Sequence, residues 1–239
     1  MQRRALAALA LLACVATPSQ AVYVNGVAPL PPNKPARNAC DSAFYVIARD
    51  PQADGVVPQL DIVALGLAES PRGFGFGFYV TDNTTLLPQL SIYEIRFSAD
   101  DSLDEYFVRF QSSHLSQNGA PLPLYQYQYG LRRKTSDGYR EVVVRDFTDN
   151  SNFFFANGAP FGPGLISFGI SKKQLEDLSP QARGFDLGAT LRRISAHTAL
   201  ADDAGRPIGE VDTLVAHGTT WLDETLRTNY RVRTAQTCP

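Results

Sequence analysis

Residues that build metal and redox centres are scarce in this sequence. Its 239 residues include three cysteines, three histidines, one methionine and one tryptophan. Common catalytic motifs are missing too: there is no G-x-S-x-G, no H-E-x-x-H and no P-loop. We therefore expect no enzyme activity and no cofactor other than a structural metal ion. A secreted hydrolase of envelope polymers stays open as an alternative, because two carboxylates that face each other across a cleft leave no sequence signature.

A large excess of charge of either sign is also missing. The formal net charge is −2, and 19% of the residues are charged. Nucleic-acid binding needs a basic stripe or patch on the surface. The short basic run at residues 132–134 is more typical of a solvated strand end. We therefore expect no nucleic-acid partner.

Long apolar runs are limited to the start of the chain. Residues 1–4 are basic, residues 5–16 are almost wholly small or apolar, and residues 19–21 have the small-x-small pattern of a signal-peptidase site. This order predicts a signal peptide of bacterial type over residues 1–21, and export to the periplasm or the extracellular medium. The run is shorter than the about 20 residues that span a bilayer. We therefore expect no transmembrane segment in the mature chain.

The three cysteines have different predicted roles. Residues 11–14 end in Cys14 and resemble a bacterial lipobox, so a lipid anchor at Cys14 is the alternative to cleavage after residue 21. Cys40 and Cys238 remain near the two ends of the predicted domain. In an oxidising compartment such a pair usually forms a disulfide. We therefore predict a Cys40–Cys238 disulfide.

Composition divides the chain into three parts. The predicted signal peptide, residues 1–21, is followed by residues 22–39, a proline-rich stretch that reads as an extended tether. No second linker of this kind follows. Residues 40–239 are therefore predicted to form a single β-sandwich domain.

Apolar side chains recur with a period of two along most of the chain. Residues 73–80, Gly-Phe-Gly-Phe-Gly-Phe-Tyr-Val, place Phe74, Phe76 and Phe78 on one face of a strand. Further strands are predicted at residues 61–67, 90–97, 106–110, 124–129, 139–144, 152–155, 165–170, 187–194 and 230–233. Many short strands separated by turn residues indicate an all-β fold, an antiparallel sandwich of jelly-roll or immunoglobulin-like type.

Helix is predicted at one or two short places only. Ser171 is a suitable N-cap for a helix over the residues that follow it. Residues 220–226 could add a second turn of helix or a loop.

The order of several motifs resembles a group of bacterial surface and secreted domains. Residues 50–55 read D-P-x-x-D-G and are followed by L-D-I at 60–62. Residues 93–97 and 105–109 then match a Y-x-x-x-F strand and an E-Y-F-V-R strand, and residues 166–175 follow in the place of a strand and short helix near I-x-I-x-x-x-x-L. This pattern resembles the DOMON and family-9 carbohydrate-binding-module-like domains. The resemblance implies a jelly-roll-like sandwich that serves as a binding or surface module.

The sequence departs from that group at two kinds of site. Haem-binding DOMON members use a methionine and a histidine as axial ligands, and the only methionine here is Met1, inside the predicted signal peptide. Sugar-binding members often present a pair of tryptophans, whereas this chain has only Trp221. We therefore expect no haem, and a sugar platform would have to consist of tyrosines.

Tyrosines on one predicted strand are the candidate ligand-binding residues. Tyr125, Tyr127 and Tyr129 share one face, with Gln126 and Gln128 opposite. Aromatic rings can stack on the apolar face of a sugar, and glutamine amides can bond to its hydroxyls. The alternative is that the tyrosines form a partly buried stripe that covers the sheet.

Clustered aspartates provide a candidate metal site. Asp50, Asp54 and Asp61 surround a predicted glycine turn, and calcium binds to clustered carboxylates and loop carbonyls. The spacing does not fit an EF-hand loop, and aspartate side chains also stabilise turns without any metal. A structural calcium ion is therefore one of two interpretations.

Taken as a sequence, the chain predicts an exported, non-catalytic β-sandwich that acts as a binding or surface-associated module. A carbohydrate or another envelope component is the expected ligand. The alternatives are the secreted hydrolase and a structural accessory domain that binds a protein partner through a sheet edge.

Overall fold

Two antiparallel sheets pack face to face, which confirms the predicted all-β sandwich. The computed structural model describes residues 35–49, 57–81, 90–99, 104–117, 120–146, 165–179, 184–202, 207–215 and 229–238. The predicted signal peptide, most of the tether, the strand at 152–155 and the helix at 220–226 lie outside these residues and stay predictions. No helix in these ranges is long and apolar enough to cross a membrane.

The small sheet has four strands and the large sheet has seven. The small sheet has the order β1-β2-β3-β8, formed by Ala43–Arg49, Ile62–Glu69, Gly73–Val80 and Leu165–Ser171. The large sheet has the order β10-β9-β4-β5-β6-β7, with β11 also paired to β9. Its strands in chain order are β4 (Ser91–Ala99), β5 (Glu105–Gln117), β6 (Ala120–Thr135), β7 (Gly138–Asp146), β9 (Thr190–Ala201), β10 (Pro207–Val215) and β11 (Asn229–Arg231).

Aromatic side chains from both sheets fill the space between them. Phe76 of β3 meets Phe97 of β4 with ring centroids 5.9 Å apart, and Phe78 meets Tyr93 at the same distance. All four side chains are buried. Such pairs contribute about 0.5–1.5 kcal/mol each beyond the burial of their surface. The phenylalanine side chains on the predicted face of β3 therefore pack the small sheet against the large one.

The predicted N-cap at Ser171 is confirmed. The helix α1 covers Lys172–Glu176 and follows β8 directly. Ser171 Oγ accepts from the Gln174 main-chain N–H at 3.1 Å, and the Gln174 side-chain carbonyl accepts from the Ser171 N–H at 3.1 Å. This reciprocal pair is a capping box, which satisfies two main-chain donors at the start of the helix.

Residues 229–238, which we call the C-terminal segment, connect the two sheets. Its first residues pair with β9 of the large sheet. The Glu69 carboxylate of the small sheet accepts from the main-chain N–H of Thr234 at 2.8 Å and from that of Arg233 at 2.9 Å. The Lys172 Nζ lies 3.6 Å from the same carboxylate, and both side chains are fully buried. Burial lowers the pKa of Lys172, and the charge of Glu69 opposes this only in part.

The predicted disulfide between Cys40 and Cys238 is present, with 5.4 Å between the two Cα atoms and 198 residues of sequence separation. Next to it, the Ala235 N–H donates to the Ala39 carbonyl at 2.8 Å. The bond therefore attaches the C-terminal segment to the chain that enters β1.

We predict that removing this disulfide destabilises the fold. A disulfide that closes so long a loop reduces the number of conformations open to the unfolded chain. Loss of such a bond typically lowers the free energy of unfolding by about 2–5 kcal/mol. A Cys40→Ser, Cys238→Ser double variant should lose this much free energy of unfolding in a urea titration. Wild-type protein kept in a strong reductant should behave like the double variant. An unchanged urea midpoint in both samples would contradict the prediction.

Candidate functional site

The large sheet carries a row of polar side chains on its outer face, the side that points away from the small sheet. Along β4, Tyr93, Ile95 and Phe97 enter the core, so the alternation turns Glu94 and Arg96 to the outer face. The same rule places further polar residues there from neighbouring strands, namely Arg109, Gln128, Glu141, Ser195 and His197.

Glu94 is a buried carboxylate held between two arginines. It is opposite Arg109 in the register of β4 and β5, and Arg109 Nε donates to Glu94 Oε2 at 2.6 Å. Arg96 Nε donates to the other carboxylate oxygen. Burial alone would raise the pKa of Glu94, but the charges of Arg109 and Arg96 and their hydrogen bonds outweigh it and hold that pKa below its usual range. The group therefore stays ionised at neutral pH.

Arg109 connects this carboxylate to the next two strands. Its guanidinium donates to Glu141 of β7 and, at 3.4 Å, to the side-chain carbonyl of Gln128 of β6. It also lies 4.7 Å from the centroid of the Phe107 ring. A Cβ atom at Gly130 would be 2.0 Å from the Val143 main-chain oxygen and 2.7 Å from that ring, so only glycine fits at this position. Burial alone would lower the pKa of Arg109, and the two glutamates raise it instead.

His197 lies at the other side of Arg96. Its Nε2 is 2.7 Å from Ser195 Oγ, and its Nδ1 is 3.1 Å from Thr213 Oγ1 and 3.3 Å from Arg96 Nη1. A guanidinium can only donate, so Nδ1 must be the acceptor and the proton of a neutral imidazole must be on Nε2. Nε2 then donates to Ser195. In this tautomer Nε2 is a donor to Ser195 and not the accepting nitrogen that a nucleophile–base pair has.

A hollow of about 280 Å³ opens beside these residues, between β4, β9 and β10. Its lining joins three polar side chains to an apolar wall: Glu94, Arg96, His197, Ile92, Ala199, Ile208 and Gly209. Ile208 is 67% exposed. The volume is close to the lower end of the range for small-molecule sites, roughly 300–1,000 Å³. The hollow is therefore near the smallest size of such sites, and its lining is part polar and part apolar.

The tyrosines and glutamines predicted as ligand-binding residues are on opposite faces of β6. Tyr127 and Tyr129 pack against the core, and the Tyr127 ring lies 5.3 Å from that of Phe110. Gln126 and Gln128 point to the outer face, where Gln128 Nε2 donates to Asp146 at 2.9 Å. The side chain of Tyr125 lies outside the described residues. The structure therefore brings only Gln128 into the polar row.

Only one of the three predicted calcium ligands lies in the described part of the chain. Asp50 and Asp54 fall outside it, and Asp61 is buried and accepts from Thr81 Oγ1. Within the described ranges, no group of three or more His, Cys, Asp or Glu residues could hold a metal ion. The calcium site stays a prediction.

Sequence reasoning missed Glu94, Arg96, Arg109 and His197. A signal was present, because residues 93–97 place two charged residues between three large apolar ones in a strand. The pairing of Glu94 with Arg109 across two strands is not visible in the sequence.

The chain matches no protein-family model, no curated protein and no solved structure. The resemblance to DOMON and family-9 carbohydrate-binding-module-like domains therefore remains a prediction from short motifs.

We predict that replacing Arg109 with leucine destabilises the protein by about 3–5 kcal/mol, because it removes the partner with the larger electrostatic effect on the buried Glu94 and leaves that carboxylate with Arg96 alone. Arg133, whose ion pair with Asp104 is solvent-exposed, provides the matched control. Arg133→Leu should leave the urea midpoint unchanged, since exposed ion pairs contribute little. Equal midpoints for the two variants would contradict the assignment.

The lowered pKa of Glu94 also predicts how stability depends on pH. An unfolded glutamate titrates near pH 4.3, so the Glu94 ion pairs stabilise the fold fully above that value. This contribution is lost as the pH falls through the lower folded pKa. The free energy of unfolding of wild type minus that of Glu94→Gln should be largest at neutral pH and should decrease in acid. A difference that is constant from pH 7 to pH 3 would show that Glu94 is not the titrating group.

Proposed function

We propose that the protein is an exported, non-catalytic binding module, and that a carbohydrate component of the cell envelope binds in the hollow between β4, β9 and β10. The observation that carries the proposal is the mixed lining of this hollow, with charged and neutral hydrogen-bonding groups beside an aliphatic wall. A sugar has the same two kinds of surface, because hydroxyl groups surround a ring whose C–H bonds are apolar.

The polar side chains of the hollow are held in place before any ligand arrives. Glu94 is fixed by Arg109 and Arg96, and His197 is fixed by Ser195, Thr213 and Arg96. The free-energy cost of binding is then smaller, because fewer side chains lose conformational freedom when the ligand binds. Such pre-organisation supports recognition of a ligand.

The same contacts favour binding over the hydrolase alternative. A glycoside hydrolase needs a carboxylic acid that is protonated near neutral pH. The pKa of Glu94 is lowered, not raised, and Arg109 also donates to Glu141. Glu94 therefore lacks the environment of a general acid. Burial raises the pKa of Glu105 on the same face, against the opposing charge of Arg132, so Glu105 is the carboxylate left to the hydrolase alternative.

Export is supported by the Cys40–Cys238 bond, since disulfides persist mainly in oxidising compartments. We propose the periplasm or the extracellular medium as the location. A lipid anchor at Cys14 is the alternative form of the same protein.

A charge placed at the mouth of the hollow should weaken binding. Ile208→Lys should reduce binding to glycan arrays or purified envelope polysaccharides at least about tenfold, because the ammonium group would remove apolar contact area from the ligand. Leu187→Lys is the matched control. Leu187 is also an exposed aliphatic residue, at 56%, and it lies ten residues before His197 in the turn that precedes β9.

Both variants should keep the wild-type melting temperature, since both side chains are exposed. Binding that is equal in the two variants would place the ligand elsewhere on the protein. Absence of binding to every glycan and envelope fraction by wild type would overturn the proposed function.

A further inference from the structure

The charged side chains around the hollow cancel one another. Glu94 and Arg96 line it, and Arg109 and Glu141 continue the same row of contacts behind them. These four side chains carry two negative and two positive charges, so their sum is zero. The adjacent row on the same face adds a further ion pair of opposite charges, Arg132 with Glu105.

The histidine of the hollow adds no charge to this balance. Arg96 Nη1 lies 3.3 Å from His197 Nδ1 and can only donate to it. A protonated imidazole would turn an N–H toward the guanidinium, so the contact fits the neutral form of the ring. Among the described side chains, the lining of the hollow is therefore polar and carries no net charge.

Resting on the proposed function, we infer that this hollow selects neutral sugar residues and rejects their acidic and amino counterparts. A carboxylate or ammonium group that entered it would lose water, and the opposite charges that could replace the water are already engaged in ion pairs. A neutral hydroxyl needs only a donor or an acceptor. Arg96 has N–H groups beyond those that contact Glu94 and His197, and each carboxylate oxygen of Glu94 can accept more than one hydrogen bond.

Arg96 is the charged residue of the hollow that a ligand would contact. Its side chain is 20% exposed, whereas that of its partner Glu94 is 2% exposed. The apolar wall of Ile92, Ala199 and Ile208 lies on the same hollow. A sugar ring packed against that wall would have its edge hydroxyls within reach of the guanidinium of Arg96.

Two substitutions change the charge of the hollow by one unit in opposite directions. Arg96→Gln leaves a net charge of −1 in the group of four, and Glu94→Gln leaves +1. Glu94→Gln keeps the shape of the side chain, whereas Arg96→Gln also shortens it. Shifts of preference in opposite directions would therefore report charge, because a change of shape alone does not depend on the sign of the ligand's charge.

The test uses methyl glycosides of glucose, galactose and mannose in three forms that differ only at carbon six: hydroxymethyl, carboxylate and aminomethyl. Binding of each to the full chain is measured by saturation-transfer NMR and titration at pH 7. We expect wild type to bind the neutral form of its preferred sugar at least about tenfold more tightly than either charged form. Glu94→Gln should shift the preference toward the carboxylate, and Arg96→Gln toward the aminomethyl form, by about tenfold each.

The outcomes separate the inference from the proposed function. A charged form that wild type binds as tightly as the neutral one would overturn the charge selection and leave the binding function in place. A neutral preference that neither variant shifts would also overturn it, because the selection would then not depend on these charges. If no sugar of any series binds, the proposed function itself fails.

Folding of the variants is checked first by circular dichroism and thermal melting. Arg96 is partly exposed, so Arg96→Gln should fold even if Glu94→Gln, which changes a buried group, does not. The ratio of neutral to aminomethyl ligand in Arg96→Gln alone then decides the question. High salt should reduce the gain for the charged ligand but not the binding of the neutral one.

Discussion

The C-terminal segment joins the two sheets through hydrogen bonds to a single buried carboxylate. Its start pairs with β9 of the large sheet, and farther along, the N–H groups of Arg233 and Thr234 donate to Glu69 of the small sheet. An ionised carboxylate buried without donors would cost many kcal/mol. Glu69 is therefore compatible with the fold only while this segment is in place, and the disulfide at Cys238 holds the segment there.

The protein buries a second carboxylate, Glu94, in a different way. The donors to Glu69 include main-chain groups, which cannot move without breaking the fold. The donors to Glu94 are the guanidinium groups of Arg96 and Arg109, on long side chains, one of which is partly exposed. These side chains hold Glu94 in place on the outer face, beside the hollow. Chemically similar groups therefore join the sheets at one place and line the proposed binding site at the other.

The two-layer β-sandwich could be predicted from the sequence, whereas the residues around the hollow could not. The two-residue period of β3, the Ser171 cap and the pairing of Cys40 with Cys238 could all be predicted, because each depends on local pattern or on compartment. The strands β1 and β10 were not predicted. β10 begins with proline, contains Gly209 and alternates weakly, so local propensity gives no strand signal.

Because β10 was not among the predicted strands, the hollow could not be predicted either. β10 forms one of its walls, and His197 of β9 reaches Thr213 only because these two strands pair. Glu94 and Arg109 are opposite each other only in the register of β4 and β5. Register depends on which faces are buried and on turn geometry across the whole sheet. A site made of cross-strand partners is therefore invisible until the pairing is known.

Arg96 determines what kind of chemistry this face can support. Together with Arg109, it holds the pKa of Glu94 below its usual range, and its Nη1 contacts Nδ1 of His197. A hydrolytic site needs a group that can release a proton and a base whose free nitrogen faces the nucleophile. Arg96 opposes both requirements. It helps to lower the pKa of Glu94, and it contacts the Nδ1 nitrogen of His197. The same two contacts leave rigid donors and acceptors at the edge of a hollow whose described lining carries no net charge, and this is the arrangement that the proposed binding of a neutral polar ligand requires.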